Sequence, residues 1–378
     1  MERTEAATFL VVEAALGEEI HSLLKGHGWL NPTLETVQPS NGSIGFPLVD
    51  VSQSETVLAT VREHLEIEAI LLDAETKYRP PVDPHHRLAE AAAAWIQHHE
   101  MDLNVHDLLP TKWEKFGQLV LLPNEFGQSE TWKKVARHPM AQTLWKSMAQ
   151  ALKATSLGLQ APIANDTFRS AQVKMLTGSP DVRFSDHGIT YAFDASKVMF
   201  SSGNITERRR IGAMNMQGEV VVDAYAGVGY YTFPMLVSAG AAHVHACEIN
   251  PASLAGLKTG AEANGLLGRI TVHAGDNTRS LKGLRGVADR CHLGLLPSSE
   301  TVWEACLLAL KPSGGVLHIH MNVEEEKIEG WTMAAVERFQ NLVAYHGLSF
   351  SVQPLHVERV KWFAPRVRHV VLDLSFRP

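Results

Sequence analysis

The sequence predicts an α/β protein whose later part is a mainly parallel sheet covered by helices on both faces. From about residue 196 the chain repeats strand, glycine turn and helix. The runs Val220–Val222, Val244–Cys247, Ile270–His273, His292–Leu296 and Gly315–His320 read as successive buried strands. Such alternation places helices on both faces of a parallel sheet. The chain is also long: 378 residues, 45% hydrophobic and 20% charged, exceed what one compact core usually fills, so two or three domains are expected. Third, Cys247, Cys291 and Cys306 are an odd, sparse set without Cys-x-x-Cys spacing. They exclude a disulfide framework and a zinc knuckle, and imply a reducing compartment.

Each element follows in order. The first hundred residues alternate short apolar runs (Thr8–Ala15, Ile44–Val51, Ile67–Leu72) with two helical patterns, a small α/β unit that closes on the turn-rich segment 78–84. An alanine-rich helix is expected from about Pro84 to Glu100. A second unit opens after it, with a strand at Gln118–Pro123, one amphipathic helix over Glu130–Ala154, and a hairpin of Val182–Phe184 with Ile189–Phe193. After the five buried strands, Phe350–Phe363 and His369–Phe376 read as a closing antiparallel pair joined by Ala364-Pro365. The expected domains are residues 1–105, a small acidic α/β domain with its linker helix; 106–195, an α+β middle domain; and 196–378.

The net charge of −7 conceals an asymmetry. Residues 1–107 hold 6 Lys/Arg against 18 Asp/Glu, whereas residues 108–378 hold 28 against 23. A phosphate backbone would therefore meet the later two thirds. Arg359, Lys361, Arg366 and Arg368 interleave with Trp362 and Phe363, a pattern suited either to phosphate contact with base stacking or to a strand with exposed cations. Lys112, Lys115, Arg169, Lys174 and Arg183 extend the same charge into the middle domain. The start of the chain carries Glu2, Glu5 and Glu13 before any apolar run, which fits neither a secretory nor a transit peptide, so a cytoplasmic location is expected. Ala224–Cys247 lacks charge over a length that could cross a bilayer. Its Gly227, Gly229, Pro234 and Gly240 instead predict a loop, a buried helix and a buried strand, and no membrane association is expected. Nor is a metal site: the histidine pairs 85–86 and 98–99 lack a third ligand at helical spacing.

The chemistry is expected at three strand ends. In Glu219-Val-Val-Val-Asp-Ala-Tyr-Ala-Gly-Val-Gly229, Asp223 closes an apolar strand, and Gly227 and Gly229 let the backbone turn tightly beside a ligand. A dinucleotide fingerprint would carry a further glycine where Thr232 stands, so a ligand without a pyrophosphate fits better. Glu248 ends the next strand, where a carboxylate accepts ribose hydroxyls. Asp276 and Asn277 end the third, where a carboxylate and an amide can read an adenine edge. An adenosine without phosphates beside a glycine loop is the arrangement expected for S-adenosylmethionine. His318 and His320 share one side of a strand by period two. Both a proton-accepting role for His320 and a structural one remain open at this level.

The run Met199-Phe-Ser-Ser-Gly-Asn-Ile-Thr-Glu207, the Asp223–Tyr230 turn, His245-Ala-Cys-Glu248, Gly275-Asp-Asn277, Gly294-Leu-Leu-Pro-Ser-Ser-Glu300 and Leu317-His-Ile-His320 together resemble the tRNA wybutosine-synthesising protein 2 family, aminocarboxypropyl transferases related to the tRNA guanine N1-methyltransferases. The match is dense over residues 196–323. It continues through residues 113–123, 169–172 and 360–374, and is faint before residue 105. The resemblance implies a Rossmann-like class I methyltransferase domain at 196–378, preceded by a middle domain that contacts tRNA and a small N-terminal domain. It implies S-adenosylmethionine as co-substrate, with contacts at Ser201, Arg208, Glu248, Asp276 and Asn277. The reaction it implies moves the 3-amino-3-carboxypropyl group to a tricyclic wyosine-type base in the anticodon loop of phenylalanine tRNA, and methylthioadenosine leaves.

Arg208, often Lys in the family, is expected to clamp the methionine carboxylate, presented by a helix that Asn204-Ile-Thr-Glu207 would begin with capping-box-like spacing. The sister methyltransferases have Asn-Pro-Pro after the fourth strand, where this chain has Leu296-Pro-Ser-Ser299. The missing Asn argues against guanine methylation, and Ser298 and Ser299 either hydrogen-bond the bulkier base or cap the following helix. Arg208, Ser298, Ser299 and His320 are thus the catalytic candidates. A tRNA guanine N1-methyltransferase and a catalytically silent tRNA-binding protein are the alternatives. The sequence leaves the oligomeric state open.

Overall fold

The computed structural model describes residues 4–378 except 41, 66, 79–82, 163–167, 169–170 and 201. Ser201 and Arg169, both singled out in the sequence, lie outside the described residues. The chain divides into two compact units, Met1–Arg87 and Leu88–Pro378.

In the first unit, strand β1 (Thr4–Glu13) leads into helix α1 (Gly17–Gly26), strand β2 (Ser43–Pro47), helix α2 (Ser54–Leu65) and strand β3 (Ile70–Lys77). The strands form an antiparallel sheet in the order β2-β1-β3. Ile20 and Leu24, four residues apart on α1, are fully buried in one core with Leu10, Val12, Phe46 and Val61. Helix α3 (Pro84–His98) follows. Its Leu88, Ala92, Trp95 and Ile96 pack with Trp132 and Trp145 in a core of the second unit.

The second unit continues with β4 (Glu114–Phe116), β5 (Leu119–Pro123), α4 (Glu130–Ala136), α5 (Ala141–Ala151), β6 (Ser156–Ala161) and β7 (Gln172–Thr177). Where the sequence predicts one helix over Glu130–Ala154, the structure has α4 and α5. The interruption is Pro139, which lacks an N–H for the i−4 carbonyl and disfavours helical backbone at His138. Next comes the expected hairpin, β8 (Asp181–Asp186) and β9 (Ile189–Asp194), its Val182, Ile189, Tyr191 and Phe193 in one core with Val221, Val244 and Phe233.

The rest of the unit runs α6 (Ile205–Gly212), β10 (Val220–Asp223), α7 (Thr232–Val237), β11 (His243–Glu248), α8 (Pro251–Ala263), β12 (Ile270–Ala274), α9 (Asn277–Ser280), β13 (Arg290–Leu293), α10 (Trp303–Ala309), β14 (Gly315–Glu324), α11 (Ile328–Tyr345), β15 (Ser351–Ala364) and β16 (Val367–Arg377). One seven-stranded sheet results, in the order β12-β11-β10-β13-β14-β16-β15. β10 to β14 pair in parallel and the last two strands antiparallel, so the α/β class is the predicted one. Side chains alternate between faces: Val222, Cys247, Cys291 and Leu317 enter a core with Trp303 and Phe339, while Val221, Val244 and Ala246 enter one with Phe233 on the opposite side. All three cysteines are free and buried, and burial lifts the Cys247 thiol to about 12. The fourth strand begins and ends earlier than predicted. At Gly294 an added Cβ would lie 3.0 Å from the His292 ring, so the chain leaves the strand at a residue without one.

Helix α8 lies against β9. Its start is capped by Asn250, whose side chain accepts from the Ala252 N–H at 2.9 Å, with Pro251 in the first turn. A Cβ at Gly256 would come within 3.0 Å of the Ala192 carbonyl, so glycine sets how closely helix and hairpin pack. The uncharged stretch Ala224–Cys247 holds a loop, α7 and most of β11. Among the described residues no helix is long and apolar enough to cross a membrane.

Candidate active site

The carboxyl ends of β10, β11 and β12 are tied together by hydrogen bonds. Gly227 and Gly229 adopt φ of 57° and 94°, and a Cβ at Gly229 would overlap the Phe233 ring. The Gly227 N–H donates to Glu248 Oε2 at 2.7 Å, while Glu248 Oε1 accepts from the Ile249 and Asn250 N–H groups at 2.9 and 2.7 Å. Burial raises the pKa of Glu248, and the three backbone donors oppose that rise. The Gly229 N–H closes a local turn onto the Ala226 carbonyl at 2.9 Å. Both loop amides are therefore used within the protein, and a carboxylate stands beside them.

Asp223 is fully buried and accepts from Thr232 Oγ1 at 2.7 Å, fixing the loop to the start of α7. Thr232, standing where a dinucleotide site carries glycine, thus has a structural partner. Asn277 donates from Nδ2 to the Ala224 carbonyl at 2.8 Å, joining the third strand end to the first. Asp276 is exposed and caps α9 through the Thr278 N–H and hydroxyl, both at 2.8 Å; these bonds lower its pKa. The structure thus brings Asp223, Gly227, Gly229, Glu248, Asp276 and Asn277 to one sheet edge.

Arg208 sits on the first turns of α6 with 5% exposure. Its Nη2 donates to Asp186 Oδ2 at 2.9 Å, and its guanidinium lies 5.1 Å from the Phe200 ring and 5.4 Å from that of Tyr230. Asn204 occupies the N-cap position as expected, but among the described residues it makes no side-chain cap bond and its buried Oδ1 has no partner. The capping box does not form, because Glu207 turns inward to accept from Arg210 at 2.8 Å through both oxygens. Arg210 also donates to Asp373 at 2.7 Å.

His318 and His320 face the same side of β14, as predicted, and each has partners that the sequence did not reveal. His318 joins Asp373 at 2.6 Å and Arg290 at 2.8 Å, and burial holds its pKa down to about 4. His320 lies between two imidazoles, its Nε2 3.0 Å from His292 Nε2 and its Nδ1 2.9 Å from His369 Nε2. Burial, then His292, keeps His320 well below its ordinary pKa, and burial holds His369 to about 4. With one proton on each of its three imidazoles, the row has two consistent arrangements. Either His292 carries its proton on Nδ1 and His369 Nδ1 is bare, or the reverse. Both terminal atoms are buried without a partner among the described residues, and His292 Nδ1 lies 3.8 Å from Asp223 Oδ1. A proton accepted at one end can thus be matched by release at the other.

Ser298 Oγ accepts from the Glu300 N–H and the fully buried Ser299 Oγ from the Trp303 indole, each at 3.2 Å. Both hydroxyls serve the turn into α10. At the β15–β16 end, Trp362 and Phe363 are 53% and 57% exposed, and the Arg368 guanidinium lies 3.6 Å from the Trp362 ring centre. His292, His369, Asp186 and the Glu207–Arg210–Asp373 group escaped the sequence analysis: the histidines meet across neighbouring strands of the sheet, and α6 places Arg208 beside Asp186 and Arg210 beside Asp373, both distant in sequence.

The TRM5/TYW2 methyltransferase domain family matches residues 183–349. The tRNA wybutosine-synthesizing protein 2/3/4 of Arabidopsis thaliana is 35% identical over 92% of this chain, which spans only 34% of that protein's length. The tRNA wybutosine-synthesizing protein 2 homolog of Danio rerio is 35% identical over 94% of this chain and 95% of its own length. This chain belongs to the tRNA wybutosine-synthesizing protein 2 family. Its fold agrees with the crystal structure of M. jannaschii TYW2 in complex with AdoMet, at a TM-score of 0.53 and 25% identity over 70% of this chain and 99% of that one. The part that matches the TRM5/TYW2 domain contains the glycine loop, Glu248, Asp276, Arg208 and three of the four inward-facing histidines; His369 lies beyond it.

Proposed function

We propose that this chain transfers the 3-amino-3-carboxypropyl group of S-adenosylmethionine to a tricyclic wyosine-type base in the anticodon loop of phenylalanine tRNA, releasing methylthioadenosine, and that it does so in the cytoplasm. The observation that carries the cofactor assignment is the Gly227–Glu248 bond of 2.7 Å. A glycine loop whose amide is held by a buried carboxylate repels phosphate and suits an uncharged ribose. Ser201, Arg208, Asp223, Gly227, Gly229, Glu248, Asp276 and Asn277 would hold the co-substrate. A carboxylate offers about four acceptor positions, of which backbone donors take three in Glu248, leaving about one for a ribose hydroxyl.

The co-substrate supplies a sulfonium with three activated carbons, so orientation selects the carbon that reacts. In this proposal Arg208, set by Asp186, fixes the methionine carboxylate. The alkylated base carbon must lose a proton, and His320 passes it along the row between His292 and His369. Ser298 and Ser299 shape the turn beside the base. Residues 106–195 form the tRNA-contacting middle domain, and Trp362, Phe363 and Arg368 offer stacking and charge to the same RNA. The test is to incubate the protein with labelled S-adenosylmethionine and phenylalanine tRNA carrying the tricyclic precursor. Labelled methylthioadenosine is expected; S-adenosylhomocysteine would mean methylation, and no product would favour a silent binder.

A further inference from the structure

Asn322, on β14, presents a complete primary amide with no partner: both Nδ2 and Oδ1 are buried and unbonded among the described residues. An amide in this state is costly to bury, because it offers two donors and an acceptor that water would otherwise satisfy. The position of Asn322 shows what it faces. By period two it lies on the same side of β14 as His318 and His320. Its partner in register on β16 is His369, whose Nδ1 is also unbonded, and the partner of His369 on β15 is Lys361.

The strand end is also fixed to the loop after β13. The Asn322 N–H donates to the Pro297 carbonyl at 3.0 Å, and Met321 bridges to Ser298. That loop follows His292, whose carbonyl accepts from Ala224 at the head of the glycine loop at 2.9 Å. The free amide therefore stands at the carboxyl edge, on the side of β13 away from the nucleoside pocket. The serines of this loop already have partners, Ser298 in the Glu300 amide and Ser299 in the Trp303 indole.

We propose that Asn322 recognises the target base, its amide pairing with a nucleobase edge that offers one hydrogen-bond acceptor and one donor side by side. A phosphate or carboxylate would satisfy only Nδ2, and an apolar group neither atom, so a heterocycle edge with both functions is the complement. The assignment rests on the proposed transfer to a tRNA base and names the residue that selects that base.

The test measures binding and turnover separately. Wild type, Asn322→Leu and Asn322→Asp are compared for affinity towards phenylalanine tRNA with and without the tricyclic base, for kcat/KM with the modified tRNA, for S-adenosylmethionine affinity by calorimetry, and for Tm. Wild type should prefer the modified tRNA. Asn322→Leu should abolish that preference and lower kcat/KM at least tenfold, with cofactor affinity within twofold and Tm not lowered. Asn322→Asp, which keeps an acceptor but loses the donor, should also lose the preference. A kcat/KM within twofold of wild type, a wild type without preference, or losses that follow Tm or cofactor affinity would overturn the assignment. If wild type prefers the modified tRNA and Asn322→Leu does not, yet no methylthioadenosine is released, the assignment stands and the proposed reaction fails.

Discussion

Glu248 and Gly227 are one functional unit: the carboxylate at the end of β11 accepts the amide of the glycine loop at 2.7 Å. Loss of the carboxylate would therefore act on the loop and, in the proposed function, on the ribose as well. Glu248→Ala is expected to weaken S-adenosylmethionine binding by about 2 kcal/mol, the scale of one charge-assisted hydrogen bond. Calorimetry on a variant whose folding is confirmed by circular dichroism checks this, and unchanged affinity would remove Glu248 from the pocket.

Arg208 and Asp186 support a second prediction. If Arg208 holds the methionine carboxylate, Arg208→Ala should weaken S-adenosylmethionine binding by roughly 1.5–3 kcal/mol while methylthioadenosine, which has no carboxylate, binds nearly as before. Arg208→Lys should retain much of the activity, since an ammonium still reaches one oxygen. Titrating both ligands into each variant decides it: equal losses would assign Arg208 to the nucleoside or to the fold.

The row of imidazoles supports a third. His320→Asn should lower kcat by about a hundredfold, the scale of a lost proton-transfer group, with S-adenosylmethionine affinity unchanged. Single-turnover kinetics against calorimetry separates the two effects, and a drop in affinity matching the drop in rate would mark His320 as structural.

Stability should depend on pH with a defined sign. His318 and His369 are held at about 4 in the folded protein, below the ordinary histidine value of about 6.5. The unfolded chain then binds more protons than the native one between those values, so stability is complete above about 6.5 and falls as pH drops toward about 4. Tm measured from pH 7.5 to pH 4 should decline through that window, and His369→Gln should flatten part of the slope. A Tm that rises on acidification through the window would contradict the burial of neutral imidazoles.

What the sequence revealed and what it concealed follow from the range of the interactions. The five parallel strands, Gly227, Gly229 and the strand-end acids are local signals, because a buried strand and a tight turn write their demands into consecutive residues. His292, His320 and His369 sit on three different strands, and β16 returns antiparallel beside β14 after a long helix. Nothing local marks such a row. The interruption at Pro139 was legible in principle, but the amphipathic period on both sides of it masked the break. Asn322 was hidden for another reason: its importance lies in bonds that are not made, which no pattern of residue types records.

The packing of β9 against α8 gives the hairpin a metric role. Asp186, which orients Arg208, lies at the tip of a hairpin whose other arm is seated on the helix that starts beside Glu248. The packing of β9 on α8 and the Asp186–Arg208 bond thus link Glu248 to Arg208, the two side chains that in the proposed function hold the ribose and the carboxylate of the co-substrate. Each added residue in a strand advances the chain by about 3.3 Å. Extending both arms of the hairpin by two residues would carry Asp186 away from Arg208 by about the length of the methionine side chain. If Arg208 holds the methionine carboxylate as proposed, a hairpin of different length on an unchanged pocket would leave Arg208 without Asp186 to orient it, and with that the carbon facing the base would no longer be fixed.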